Sequence, residues 1–327
     1  MYDVITIGSN TLDLFVHTDQ SDIINLSSKE GCKEFISYPV GTKMLITKLL
    51  HNFGGCGTNT AVAFSRLGLK TAYIGKVGTD NNGKLILANL KKEKIDFLGA
   101  KGEESGFSII LDAFQNDRTI LVYKGCNNDL RFNEVKKAKL KAKWLYLSSM
   151  LGESLEAMTR IAEHARNNKV KIAFNPSITI LENETLRAMN LLRYADLLVL
   201  NKEEAEALVG NNTTEVNLKK LSSYGPGIVV ITDGRNGITA YKDDYYYKVM
   251  PTKELQVVET TGAGDAFAST LTAGLIMNKP FEFCLKMGIN NSESVIRHHG
   301  AQNKLLSRKK LFEIVNQDKR VVDKRDA

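Results

Sequence analysis

Short apolar runs and longer segments with helical spacing take turns along most of the chain. Tyr2 to Gly8 has the continuous apolar character of a buried strand and stops at a glycine. Ser9 to Asp13 follows as a loop, and Leu14 to His17 as a second strand. From Trp144 onward the alternation is regular. Strand Trp144 to Ser148 precedes helix Ser154 to Asn167, and strand Val170 to Asn175 is halted by Pro176. Helix Asn183 to Arg193, strand Leu197 to Leu200 and a helix opened by Asn201 come next. Strand Ile228 to Ile231 and helices Ala266 to Met277 and Cys284 to Arg297 complete the series. Strand and helix in turn predict an α/β fold, a doubly wound and mostly parallel sheet flanked by helices.

Two β-rich stretches interrupt that order. Residues 18–34 are polar and irregular, after which Phe35 to Tyr38 and Lys43 to Lys48 read as strands around Pro39-Val40-Gly41. Later, Gly106 to Ala113 and Arg118 to Tyr123 flank the polar turn Gln115-Asn116-Asp117 as a hairpin. Together they predict one small separate sheet; edge strands of the main sheet are the other reading. The expected division is an α/β body of residues 1–12, 48–104 and 125–317, and a β lid of residues 13–47 and 105–124. The charged tail, 318–327, is expected to fray.

Between the two stretches, the glycine-rich turn Phe53 to Gly57 opens an amphipathic helix that ends at Gly68. Thr71 to Asp80 reads as strand and turn.

The 327 residues suit one large α/β domain with a small accessory piece, and no run approaches a membrane span. The N-terminus begins as a core strand without a basic leader, which predicts an unsecreted, cytoplasmic chain. Cys32, Cys56, Cys126 and Cys284 are scattered without metal or redox spacing, as free thiols in a reducing compartment would be. The net charge of +7 comes from lysines dispersed on helices, such as Lys136 to Lys143, with no basic run interleaved with aromatics. Nucleic-acid binding is therefore not expected.

The chemistry concentrates at Glu259-Thr260-Thr261-Gly262-Ala263-Gly264-Asp265. A Gly-Ala-Gly turn feeding a helix aims bare N–H groups and the positive end of the helix dipole at one point, which suits a phosphate. Asp265 would repel a resting phosphate; its chemical use is to take a proton from an attacking hydroxyl. As a plain helix start, the same string is an N-cap threonine and a first-turn acid. Asn201-Lys202-Glu203-Glu204 is a capping box. Thr232-Asp233-Gly234-Arg235-Asn236-Gly237 after a strand is a tight turn, suited to a hairpin or to nucleotide phosphates and ribose. The chain has no Gly-x-x-x-x-Gly-Lys-Ser/Thr string, which excludes a P-loop kinase.

The Gly262–Asp265 string closely resembles the C-terminal signature of the ribokinase-like (PfkB) carbohydrate kinases. Gly54-Gly55 with Asn59, the five-residue step from Gly8 to Asp13, Gly75 to Asp80, and Gly300-Ala301-Gln302 are similar to that family in the same order, over roughly residues 3 to 315. The resemblance implies transfer of the γ-phosphate of ATP to a sugar or nucleoside hydroxyl, with Mg²⁺ and K⁺. Asp265 is then the base, and Gly262, Ala263 and Gly264 form the anion hole. Asp13, Gly54, Gly55 and Asn59 hold the acceptor. Asn201, Thr232, Gly234, Gly237 and Asn291 serve the nucleotide. Glu204 serves the magnesium ion, and the acid-Thr-Thr string at Glu259 borders the potassium. The lid covers the acceptor and is a homodimer surface. A nucleoside would call for a stacking aromatic in the lid, among Phe35 and Tyr38; a sugar phosphate would call for paired cations, where Lys43, Arg118 and Lys124 are scattered. A non-catalytic sensor on the same fold would lack Asp265.

Overall fold

The computed structural model describes residues 1–28, 31–112 and 118–327, and in it the regular alternation builds one ten-stranded sheet. From edge to edge its strands are Asp323–Asp326, Tyr245–Val249, Ile238–Lys242, Ile228–Thr232, Leu197–Asn201, Lys171–Phe174, Ala142–Leu147, Tyr2–Ile7, Thr71–Ile74 and Asp96–Phe97. The strands from Ile228–Thr232 to Asp96–Phe97 are parallel; the other three are added antiparallel. The helices are α1 (Cys56–Arg66), α2 (Asn81–Lys92), α3 (Gly152–Asn167), α4 (Ile178–Asn183), α5 (Thr185–Leu192), α6 (Lys202–Val209), α7 (Thr214–Ser223), α8 (Ala263–Ile276), α9 (Phe281–Val295) and α10 (Arg308–Gln317).

The central strands read as unbroken apolar runs because both faces are covered. Ile5, Ile7, Leu145, Leu147 and Phe174 pack with Leu155 and Met158 of α3 and Leu191 of α5. The alternate residues Val4, Trp144, Tyr146, Val199 and Val230 pack with Phe64 of α1 and Phe267 and Leu271 of α8. The carboxyl ends of the parallel strands lie along one edge, where the N-termini of α1, α6 and α8 gather. Ligands of such sheets bind at that edge. No helix among the described residues is long and apolar enough to cross a membrane.

The small sheet is separate, as expected, in the order Arg118–Tyr123, Phe107–Asp112, Thr11–His17, Lys48–Gly54. Its make-up differs from the expectation in three places. Asp13 is on a strand rather than in a loop, because Thr11–His17 is paired on both sides, Asp13 opposite Asn52 and Ser108. The strand expected at Lys43 to Lys48 lies later, at Lys48–Gly54, so these residues leave the body for the lid. The segment expected to be irregular forms a two-stranded sheet of its own, Asp22–Ser28 with Gly31–Ser37, so the strand expected at Phe35 to Tyr38 belongs there and not to the small sheet; its pair Ile24 and Phe35 shares a face that the polar average of the segment hides. The turn Gln115-Asn116-Asp117 lies outside the described residues.

Two other corrections concern the body. The helix expected from Asn183 to Arg193 is α5, which starts later, at Thr185, and the short helix α4 before it was not expected; the two are separated at Glu184, whose φ of −138° is not helical. The tail is not frayed at its end: Asp323–Asp326 pairs with Tyr245–Val249, with Lys324 Nζ 3.9 Å from the Tyr245 ring centroid and Arg325 2.6 Å from Glu215.

Candidate active site

The glycine turn starts α8 as the sequence requires. Gly262 is the N-cap in the left-handed region, φ 79°, and a Cβ there would lie 2.4 Å from the Cβ of Ala301. Ala263 N–H closes the turn on Thr260 O at 3.1 Å, so of the three expected anion donors this one is engaged within the loop. The next N–H groups of the first turn, from Gly264 on, are those a helix start leaves without intrahelical partners. A Cβ on Gly264 would meet no protein atom within 4 Å. The packing of the fold leaves room for a side chain there.

Asp265 follows on the same turn. Asn59 Nδ2 donates to its Oδ2 at 2.9 Å, and the Cys56 thiol also hydrogen-bonds the carboxyl. Burial pushes its pKa above the ordinary value, and the two donors partly oppose the rise. A cleft of about 210 Å³ joins Asp265, Gly262 and Gly264 to Cys56, Asn201 and Glu204. A second, larger cavity of about 760 Å³ shares Thr232, Gly264 and Phe267 with the first, and extends past Gly234, Gly237 and the segment Pro251 to Val257 to α9. The two meet at the N-terminus of α8.

Asn201 and Glu204 form the expected capping box: Glu204 N–H donates to Asn201 Oδ1 and Asn201 N–H to Glu204 Oε2, each at 2.8 Å. Glu204 is buried, and desolvation raises its pKa from 4.5 to about 7, against the N–H groups of Asn201 and Ile178. A buried carboxyl kept from its charged form beside the glycine turn fits a divalent cation, which would restore the charge. Among the described residues no three His, Cys, Asp or Glu side chains converge as a metal cage. Magnesium does not need one, since it takes one or two carboxylates plus waters and substrate phosphates.

Thr232, Gly234 and Gly237 sit where an antiparallel hairpin turns from Ile228–Thr232 to Ile238–Lys242, so the hairpin reading and the cavity-lining position hold together. Asn291 does not face the cavity. It is fully buried, donating to Thr270 Oγ1 at 2.6 Å and accepting from Leu306 N–H at 2.8 Å; its neighbours Ile289, Ser292 and Glu293 line the cavity instead.

In the small sheet, Asp13 is buried and accepts from Thr11 Oγ1 at 2.9 Å and from Ser108. Its pKa is raised, chiefly by burial. Gly54 and Gly55 have reasons internal to the fold. A Cβ on Gly54 would sit 2.0 Å from Asp13 Oδ2, and Gly55, φ 90°, packs against Asn10 and Ser9. Asn59 is buried, its Oδ1 accepting from Gln302 Nε2 at 3.1 Å and its Nδ2 donating to Asp265, so its amide serves the aspartate. Thr11, Ser108 and Cys56 are contributors that local sequence patterns did not single out; Gln302 carried a signal, in Gly300-Ala301-Gln302.

Residues 29–308 match the model of the pfkB family of carbohydrate kinases. A ribokinase of Lactococcus lactis is 27% identical over 306 residues, covering 92% of this chain and 93% of the relative. A nucleoside kinase of Methanocaldococcus jannaschii, described as an archaeal member of the ribokinase family, superposes with a TM-score of 0.78 at 19% identity, covering 97% of this chain and 99% of that one. A putative ribokinase II from E. coli, in complex with ATP and Mg²⁺, superposes at 0.81 and 16% identity over 97% of this chain and 100% of its own. With a small separate sheet, then the glycine turn and its aspartate, on this fold, and a family model matching most of its length, the chain belongs to the pfkB family of carbohydrate kinases.

Proposed function

We propose that this kinase moves the γ-phosphoryl group of ATP onto a hydroxymethyl oxygen of a neutral polyhydroxy acceptor, a sugar or a nucleoside, with Asp265 as the base. One observation carries the reading: Asp265 stands on the first turn of α8, beside Gly264, where a nucleotide-sized cavity and a smaller cleft meet. ATP lies along the larger cavity, its ribose and phosphates near Thr232, Gly234 and Gly237 and its terminal phosphate at the α8 N-terminus. The acceptor hydroxyl attacks the γ-phosphorus, the bond to the bridging oxygen of ADP breaks, and the hydroxyl proton passes to Asp265. The glycine turn holds the charge of the transferring group, and positioning supplies most of the acceleration. Magnesium, when bound near Glu204, neutralises phosphate charge. Asp13 accepts acceptor hydroxyls at the lid root, where Thr11 and Ser108 orient its carboxyl.

A nucleoside is favoured within that class by Phe15. It shares a strand face with Asp13 and meets the His299 ring at 6.4 Å between centroids, beside Leu50. Of the cations a sugar phosphate would need, Lys43 and Lys124 are exposed, and the side chain of Arg118 is outside the described ones.

Asp265→Asn should leave nucleotide affinity nearly intact by calorimetry and lower kcat by about 10² to 10⁴, as loss of a general base does. Turnover near that of the parent would remove the assignment. An ATP-consumption screen across pentoses, hexoses, nucleosides, inositols and their monophosphates identifies the acceptor. A monophosphate about tenfold better in kcat/KM than every neutral compound, a difference of about 1.4 kcal/mol, would overturn the preference.

Potassium is expected to raise activity by fixing the loop at Glu259, whose Oε2 accepts from Gly300 N–H at 2.9 Å. Equal rates in potassium and in a large organic cation at matched ionic strength would reject this. The exposed Ile24, Leu26 and Phe35 on the two-stranded sheet and Leu121 on the small sheet support a homodimer through the lid, which light scattering tests.

A further inference from the structure

A chain of three amides, the last two buried, ends on Asp265. Asn89 Nδ2 donates to Gln302 Oε1 at 3.2 Å, Gln302 Nε2 to Asn59 Oδ1 at 3.1 Å, and Asn59 Nδ2 to Asp265 Oδ2 at 2.9 Å. Asn59 and Gln302 are both almost wholly buried, and they are 243 residues apart in sequence. Gln302 is itself fixed. Arg66 Nη1 donates to its backbone oxygen at 2.7 Å, and the same guanidinium is held by Glu93 at 2.6 Å.

The direction of the chain is its chemical content. An asparagine amide is symmetric in shape but not in hydrogen bonding: one end donates and the other accepts. An ionised carboxylate only accepts. Asn59 therefore supports Asp265 in one of its two rotations, and its own position on α1 does not choose between them. The carboxylate favours the rotation that turns the NH₂ group toward it, and Gln302, its own Oε1 taken by Asn89, holds the same rotation from the other end by presenting an N–H group to the Asn59 oxygen.

We propose that Gln302 is a positioning residue of the kinase. It holds the Asn59 amide in that rotation, and so holds the Asp265 carboxylate in the one rotamer from which it takes the acceptor proton. This rests on the reading of Asp265 as the base. The other titratable groups that act on Asp265 or its donors are the Cys56 thiol on α1, Tyr146 on the central strand, Glu204 on α6, and Lys124, whose charge reaches Cys56. None of them touches Gln302 in the hydrogen-bond network, so a change at Gln302 reaches the base through Asn59.

Two variants and a pH profile test it. Gln302→Glu keeps the shape and, once ionised, reverses the chemistry. The new carboxylate accepts from the Asn59 NH₂ group and turns the amide oxygen toward Asp265. The parent kcat should rise with pH to a plateau as Asp265, whose pKa burial raises, loses its proton. The Gln302→Glu kcat should instead fall again as pH rises, ending at least about tenfold below the parent. KM for nucleotide and acceptor should stay within about twofold. Gln302→Met removes the donor without adding charge; it should lose about five- to tenfold in kcat at every pH, with no descending limb. A general-base step is worth about 10² to 10⁴, so losses of this size fit a base that is misheld rather than absent.

The proposal is overturned if both variants are folded and keep kcat and pH profile within about twofold of the parent. It is also overturned if both lose activity only in proportion to loss of folded protein, followed by circular dichroism. Asp265→Asn measured alongside separates the two levels. If that variant turns over normally, the base reading falls; if it is inactive while the Gln302 variants are normal, the positioning role alone falls.

Discussion

Glu204→Gln isolates the cost of keeping an acid in the cleft. Glutamine retains the capping box, since its amide oxygen accepts from Asn201 N–H as Glu204 Oε2 does at 2.8 Å. What it removes is a buried ionisation. The carboxyl is 8% exposed, and burial moves its pKa from 4.5 to about 7. At about 1.4 kcal/mol per pH unit, ionising it in the ligand-free protein costs roughly 3 kcal/mol. The folded state holds this proton more tightly than the unfolded chain. Its contribution to stability therefore falls as pH rises from about 4.5, and the penalty is complete above about 7. Asp13 and Asp265 are raised in the same direction, so the slope of the parent alone does not isolate Glu204; the difference between parent and variant does. Urea unfolding at half-unit steps from pH 4.5 to 9, without ligand, should give curves that coincide at the acid end. By pH 8 the variant should be more stable by about 3 kcal/mol. A magnesium nucleotide at pH 8 should then stabilise the parent more than the variant, because a cation near Glu204 favours the ionised form. Curves that stay parallel across the whole range would refute the reasoning.

The glycines of the anion turn should separate by role. Gly262→Ala places a Cβ 2.4 Å from that of Ala301 at a φ of 79°, so it should lower the unfolding midpoint and cut kcat by at least about tenfold. Gly264→Ala meets open space and should leave the unfolding midpoint within about a degree while raising KM for the nucleotide; a large loss of stability would show that the fold needs this glycine after all. Arg320 bridges Glu293 at 2.8 Å and Asp318 at 2.7 Å, and Glu293 in turn accepts from Thr252 N–H at 2.7 Å on the wall of the larger cavity. Arg320→Ala should cost about 3 kcal/mol in urea unfolding and raise KM for the nucleotide severalfold, since it leaves a buried carboxylate without its cation. Unchanged values in both assays would mean that the tail is passive.

Local patterns determined the α/β class, the presence of a separate small sheet, the glycine turn with Asp265, and the Asn201–Glu204 capping box. Each of these depends on residues within a few positions of one another: strand periodicity, a glycine that alone tolerates a left-handed φ, a side chain that reaches its own helix N-terminus. Tertiary structure decided the rest. Nothing near Asn291 in sequence distinguishes a cavity-facing amide from one that bridges Thr270 and Leu306; only the packing of α8 against α9 does. Gly54 looks like a residue that lets a ligand approach, yet its missing Cβ makes room for Asp13, brought opposite by strand pairing. The tail is polar enough to read as loose, and it is held by partners that lie in α7, α9 and the Tyr245–Val249 strand. Asn59 and Gln302 are separate signals in the chain, and their joint action on Asp265 exists only when residues 206 and 243 positions apart meet. The direction of a hydrogen bond between two amides is settled by what surrounds both, and that surrounding is a property of the folded molecule.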